Sequence, residues 1–241
     1  MTDHDGGTPE NSADSFDAAR ATRELLAVLA YAELTASFRL AEDASAAPTL
    51  ADKAALGAMA AAEFGHFELL SGRLNDLGAD LDSETGPFVK ALDEWHAQTP
   101  PKDWLESLVK AYVGDGIAAD FYREVAGGLD QPTKDLVMEV LADTGHADFA
   151  VQHVRAAIAA EPTVAGRLAL WARRLVGEAL AQAQRVAADH PALAMLVVGG
   201  PASASGQGSG GHEGDLAEIT RLFARLTDRH AERMKRLGLS T

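Results

Sequence analysis

The chain has 241 residues, of which 47% are hydrophobic, 24% charged and 6% aromatic, with a formal net charge of −15. It contains no cysteine, which excludes disulfides, thiolate zinc sites and iron–sulfur clusters and fits a reducing cytosol. The acidic excess is uneven, at −12 over residues 1–100, −5 over 101–160, zero over 161–214 and +2 over 215–241, so only the C-terminal part would not repel nucleic acid.

Residues 1–15 are polar and poor in apolar side chains, which predicts a disordered tail. Met1 to Asn11 lacks the basic region and apolar core of a signal peptide. No apolar run approaches the ~20 residues that span a bilayer. The expectation is a soluble, cytoplasmic protein with no membrane partner.

Alanine is abundant, in runs such as Ala60-Ala61-Ala62, and it keeps company with Leu and Glu. That composition predicts an all-α fold. The first helix is expected from about Ser15 to Asp43, apolar on nearly every face between Leu25 and Leu40 and so buried. Pro48 breaks the chain, and Thr49 or Asp52 caps a second helix from about Leu50 to Leu77, ended by Gly78. Residues 78–102 read as a long connection containing Gly86-Pro87 and Pro100-Pro101, with a short helix around Phe88 to His96.

A third helix is predicted from about Asp103 to Ala126, stopped by Gly127-Gly128. A fourth runs from about Pro132 to Ala160 and stops at Glu161-Pro162. A fifth, about Thr163 to Asp189, precedes Pro191 and a short apolar piece, Ala192 to Val198. Residues 199–214, rich in Gly, Ser and Ala, read as a flexible loop. A last helix spans about Asp215 to Leu237. The domain expectation is therefore a bundle over 16–198 with a C-terminal helix, 215–241, packed on it.

One pattern on these helices occurs twice. Glu33 on the first helix is followed on the second by Glu63-x-x-His66. Asp115 on the third is followed on the fourth by Asp143-x-x-His146. Positions three, four and seven apart share a helix face. Glu33 falls in line with Leu26, Leu29 and Leu40, Glu63 with Leu56 and Leu70, Asp115 with Leu108 and Tyr112, and Asp143 with Leu136 and Val140. Each carboxylate thus sits on a stripe that would otherwise face the core.

A single carboxylate-x-x-His pair is ordinarily a solvated surface pair. Two, each preceded by a core-facing carboxylate at nearly equal spacing, are how a four-helix bundle builds a two-metal site. Four converging carboxylates would be strongly destabilising without cations among them. Asp120 is the competing third-helix ligand, but it breaks the repeat. Glu68 and Asp148 fall on other faces, and His96, His153, His190, His212 and His230 have no partner at ligand spacing.

The segments Ala30-Tyr31-Ala32-Glu33-Leu34, Ala62-Glu63-Phe64-Gly65-His66 and Asp143-Thr144-Gly145-His146 resemble the ferritin-like superfamily of di-iron carboxylate proteins over about residues 18–160. Within it the chain looks most like the tRNA hydroxylases that act on 2-methylthio-isopentenyl-adenosine (the MiaE family), in particular the MiaE-like branch of actinobacteria. The resemblance implies a ferritin-like four-helix bundle with additional C-terminal helices. It also implies two iron ions, with manganese as the alternative metal, and an oxygen-dependent hydroxylase (monooxygenase) activity supplied with electrons by an external donor. The usual pattern has Glu at all four carboxylate positions, and Asp115 and Asp143, one methylene shorter, depart from it.

A tRNA substrate needs a basic surface, and Arg221, Arg225, Arg229 and Arg233 recur every four residues on the last helix. The plainer reading of that stripe is a solvated face paired with Asp228, Glu232 and their neighbours. Two other functions fit the same fold: a ferritin-like iron-binding or peroxide-handling protein, and a metal-free helical scaffold. A homodimer is compatible with all three.

Overall fold

A computed structural model describes residues 11–142, 145–198 and 211–240, with side chains except at 11–17, 194, 197–198 and 211–219. The expected tail at 1–15 and loop at 199–214 lie largely outside the described residues. Among those described there are nine α-helices and no strand: α1 Asn11–Ala46, α2 Leu50–Asp76, α3 Leu81–Gln98, α4 Trp104–Val125, α5 Gln131–Val140, α6 His146–Ala160, α7 Val164–Asp189, α8 Pro191–Val198 and α9 Gly211–Leu237. None of the described helices is long and apolar enough to cross a membrane.

The local chemistry explains most boundaries. Thr49, Asp80, Asp103 and Asp130 each accept a hydrogen bond from a backbone N–H three residues on, capping α2, α3, α4 and α5. Gly78, at φ 70°, takes the left-handed turn that ends α2. The run Leu25 to Ala30 is buried on every face, as its unbroken apolar sequence requires.

Two stretches differ from the sequence expectation. The connection at 78–102 is mostly helix, since α3 begins at Leu81 and runs through Pro87. A helical proline costs about 3 kcal/mol. Phe88, the next residue, is fully buried and stacked at 4.2 Å on His190, and burying such a ring returns about 1.5–3 kcal/mol. The fourth helix, expected to be continuous, is two: α5 stops at Val140 and α6 starts at His146. Gly145 stands at φ 95°, which a helix cannot accommodate. Arg123 of α4 donates to the Leu141 carbonyl left unpaired where α5 ends.

α1 and α2 form an antiparallel hairpin, α3 lies on α1 and α7, and α4 packs on α6, α7 and α9. One core joins Leu25, Leu29, Leu70, Phe88, Val125 and Leu193; another joins Val109, Val113, Val154, Leu168, Leu175 and Met234. α9 closes the second through Met234 and Leu237 and also contacts α8.

Candidate metal centre

The tight turn between α1 and α2 sets Glu33 opposite the second half of α2. There Glu63 and His66, three residues apart, share one face. His66 Nδ1 lies 3.4 Å from Glu33 Oε2 and 3.2 Å from Glu63 Oε2. The other oxygen of Glu63, Oε1, lies 3.2 Å from Nδ1 of His146, the first residue of α6. His146 Nδ1 is in turn 3.8 Å from Asp115 Oδ2 on α4. Glu63 therefore touches both histidines and joins the two halves of the repeated pattern. Five of the six expected residues meet in one connected cluster; the sixth, Asp143, lies outside the described residues.

The donor set fits divalent metal. Two ligands about 2.1 Å from one ion, at angles between 90° and tetrahedral, stand about 3.0–3.4 Å apart. The Glu33–His66, Glu63–His66 and Glu63–His146 separations match that spacing. Ligand atoms of Glu33, Glu63 and His66 all lie within 4.8 Å of one another. Carboxylate oxygen and imidazole nitrogen suit iron and manganese.

Electrostatics point the same way. Burial pushes the Glu33 carboxyl up to about 9, with a contribution from a hydrogen bond to Glu63 and against the opposing pull of His66. His66 is raised to about 10 by hydrogen bonds to Glu33 and Glu63. Glu63 is only 9% exposed, and burial opposes its ionisation, yet hydrogen bonds with His66 and Glu33 hold its pKa below the ordinary value. The protonated imidazole thus does part of what a metal cation would do. Asp115 has 47% of its side chain accessible and lines the two cavities beside the cluster. Surrounded by protein, its carboxyl is raised by desolvation.

The competing ligand, Asp120, points elsewhere. It is buried and forms ion pairs with Arg123 at 3.5 Å, Arg229 at 3.8 Å and Arg233. Three arginines of the α9 stripe reach α4 while keeping part of their surface in solvent, since Arg225 and Arg229 also bind Glu124, at 3.0 and 2.9 Å. Arg225, Arg229 and Arg233 thus make ion pairs across to α4, where Asp228 and Glu232 were the expected partners. Asp120 is buried and Glu124 half-buried on that face of α4, and both take cations from α9. Glu68 is exposed, and Asp148 is exposed and bound to Arg236. His153, with no partner by local spacing, bonds Asp52 of α2 at 2.9 Å.

Two cavities flank the cluster, and the alanine-rich helices leave room for them. One, about 290 Å³, is lined by Glu33, Glu63, Asp115, His146, Tyr122 and Arg233 among others. The second, about 430 Å³, is lined mainly by apolar side chains of α1, α3, α4, α7 and α9. Ala32, Ala36, Asp115, Ala118 and Tyr122 line both. Burial raises the Tyr122 hydroxyl further above its usual range, with a smaller push from Glu33, so it stays neutral.

A protein-family model described as "Ferritin-like domain, actinomycetes" matches residues 16–200. No curated protein matches the chain.

Proposed function

This chain belongs to the actinomycete ferritin-like domain family, and from that premise we propose that it holds a dinuclear metal centre and works as an oxygen-dependent oxidoreductase, a hydroxylase, on an apolar organic substrate. The observation that carries the reading is Glu63, one buried carboxylate in contact with both histidines, in a cluster whose Asp115 lines a large apolar cavity. Glu33, Glu63 and His66 would hold one ion. Glu63, Asp115 and His146, with Asp143, would hold the other. When bound, two redox-active ions, iron or manganese, supply the Lewis acidity and electrons with which dioxygen is reduced.

The chain's own residues do the rest. Glu33 and His66 give up protons as the site is loaded. Glu63 ties the two halves together across one carboxylate. The apolar wall excludes water and brings a substrate up to Asp115. The sequence carries no flavin or nucleotide motif, so reducing equivalents come from an external donor. Iron storage or peroxide handling gives no role to the apolar cavity. A tRNA substrate would need phosphate-facing cations, and Arg225, Arg229 and Arg233 are engaged by Glu124 and Asp120. These observations favour a small apolar substrate over tRNA, and leave the MiaE-like activity as an outcome to be tested.

The test is metal analysis of protein purified without chelators and then loaded anaerobically with ferrous iron. About two ions per chain are expected, as a two-metal site requires, followed by oxygen uptake with a chemical reductant. Substoichiometric metal after loading would overturn the reading in favour of a scaffold. A changed tRNA nucleoside profile in cells lacking the protein would restore tRNA as the substrate.

A further inference from the structure

The larger cavity is elongated. On α1 its lining runs from Val28 to Asp43 and on α4 from Ser107 to Tyr122, fifteen residue steps on each helix, or about 22 Å at 1.5 Å per step. Its volume of about 430 Å³ is spread along that length, a shape that suits an extended chain. The walls, including Leu40, Leu92, Ile117, Phe121 and Leu226, offer dispersion contact and almost no hydrogen bonding.

The two ends differ. Val28, Tyr122 and Leu193 close one end. The other carries Arg39, Asp43, His96 and Lys110. Lys110 is 8% exposed. Its ammonium donates to the neutral Thr99 carbonyl at 2.7 Å and lies 4.8 Å from the Trp95 ring centre. Arg39 is held by Glu42 at 2.8 Å. His96 Nδ1 is buried with no hydrogen-bond partner. Burial lowers Lys110 to about 8 and raises Asp43, each shift partly offset by the attraction between the two groups, so an incoming carboxylate shares Lys110 with Asp43. A buried ammonium bonded to a neutral carbonyl and an unsatisfied imidazole nitrogen mark a place for an incoming polar group.

We propose that this cavity binds one long-chain aliphatic carboxylate, its head between Lys110 and His96 and its chain running along α1 and α4 past Asp115. A chain seated this way presents mid-chain methylenes, not its head, to Asp115, the member of the cluster that lines this cavity. The inference deepens the oxidoreductase reading, on which the use of the ligand rests, but binding itself needs no metal.

The experiment is titration of full-length protein, metal-free and metal-loaded, with stearate, stearyl alcohol and dodecane, followed by displacement of a fluorescent fatty acid. Metal content is measured in parallel. Stearate is expected to bind one per chain in both forms. Lys110→Met should weaken stearate at least tenfold and the alcohol less than threefold. Ala183→Phe, on α7 away from the cluster, should plug the cavity and abolish binding with metal content unchanged. Native mass spectrometry and a thermal melt establish that both variants are folded. If the unmodified protein binds neither stearate nor the alcohol, the cavity assignment is overturned. If the alcohol and dodecane bind as well as stearate and Lys110→Met changes nothing, the carboxylate assignment is overturned. Loss of metal with retained stearate binding would count against the metal centre alone.

Discussion

Loading the centre should release protons, and the number follows from the side chains. His66 is raised to about 10 by Glu33 and Glu63, and burial raises Glu33 to about 9. Both therefore hold protons at neutral pH in metal-free protein, while Glu63 is an anion. Metal ligands must be deprotonated to bind, so loading displaces about two protons from these two groups. Raising the pH removes the competitor, and apparent affinity should climb about tenfold per proton for each pH unit, or about 100-fold per unit between pH 6.5 and 8. Isothermal titration with manganese in buffers of different ionisation enthalpy counts the protons. Chelator competition across the same range gives the slope. In His66→Ala the count should fall to about one and the slope to about tenfold. Affinity that stays flat with pH, once the chelator's own titration is corrected, would refute the reasoning, as would an unchanged proton count in the variant.

Four further outcomes are expected. Metal-free protein should lose stability as pH rises from 6.5 to 8. His66 and Glu33 both have folded pKa values raised above their ordinary 6.5 and 4.5, so each contributes stability that is fully present below its unfolded pKa and lost as pH rises through its folded one. The loss is about 1.4 kcal/mol per proton per pH unit, and thermal melts at fixed ionic strength measure it; Lys110, lowered to about 8, works in the opposite sense only above that window. Glu63→Ala should remove nearly all bound metal, whereas His66→Ala or His146→Ala should each remove at least half, as elemental analysis would show. Gly145→Ala, at φ 95°, should cost about 1–2 kcal/mol in urea unfolding and lower metal content by displacing His146. Asp120→Ala leaves Arg233 buried without its carboxylate and should destabilise by about 3 kcal/mol without loss of metal; lost metal would make Asp120 a ligand after all.

The all-α class, most helix boundaries and the residue types of the candidate site are legible in the sequence alone. These are local properties. Caps act over three residues, helical faces repeat every three to four, and a carboxylate on a core-facing stripe is visible wherever the stripe is. Glu33, Glu63 and His66 were legible for that reason, since a short turn makes their meeting almost a consequence of counting. What depends on distant partners was settled by packing. Whether Gly86-Pro87 interrupts a helix turned on Phe88 finding a buried place against His190. Whether Asp115 or Asp120 joins the histidines turned on α9, whose arginines take Asp120 and leave Asp115 to the cavity. The arginine stripe reads as a basic surface in isolation, and three of its members, Arg225, Arg229 and Arg233, become ion-pair partners of Glu124 and Asp120 once α4 lies against it. The Asp52–His153 bond, 101 positions apart, has no local signature at all. The alanine-rich helices hint at room for a channel, but where the cavities lie is a property of how the helices fail to fill the volume between them, and no single helix encodes that.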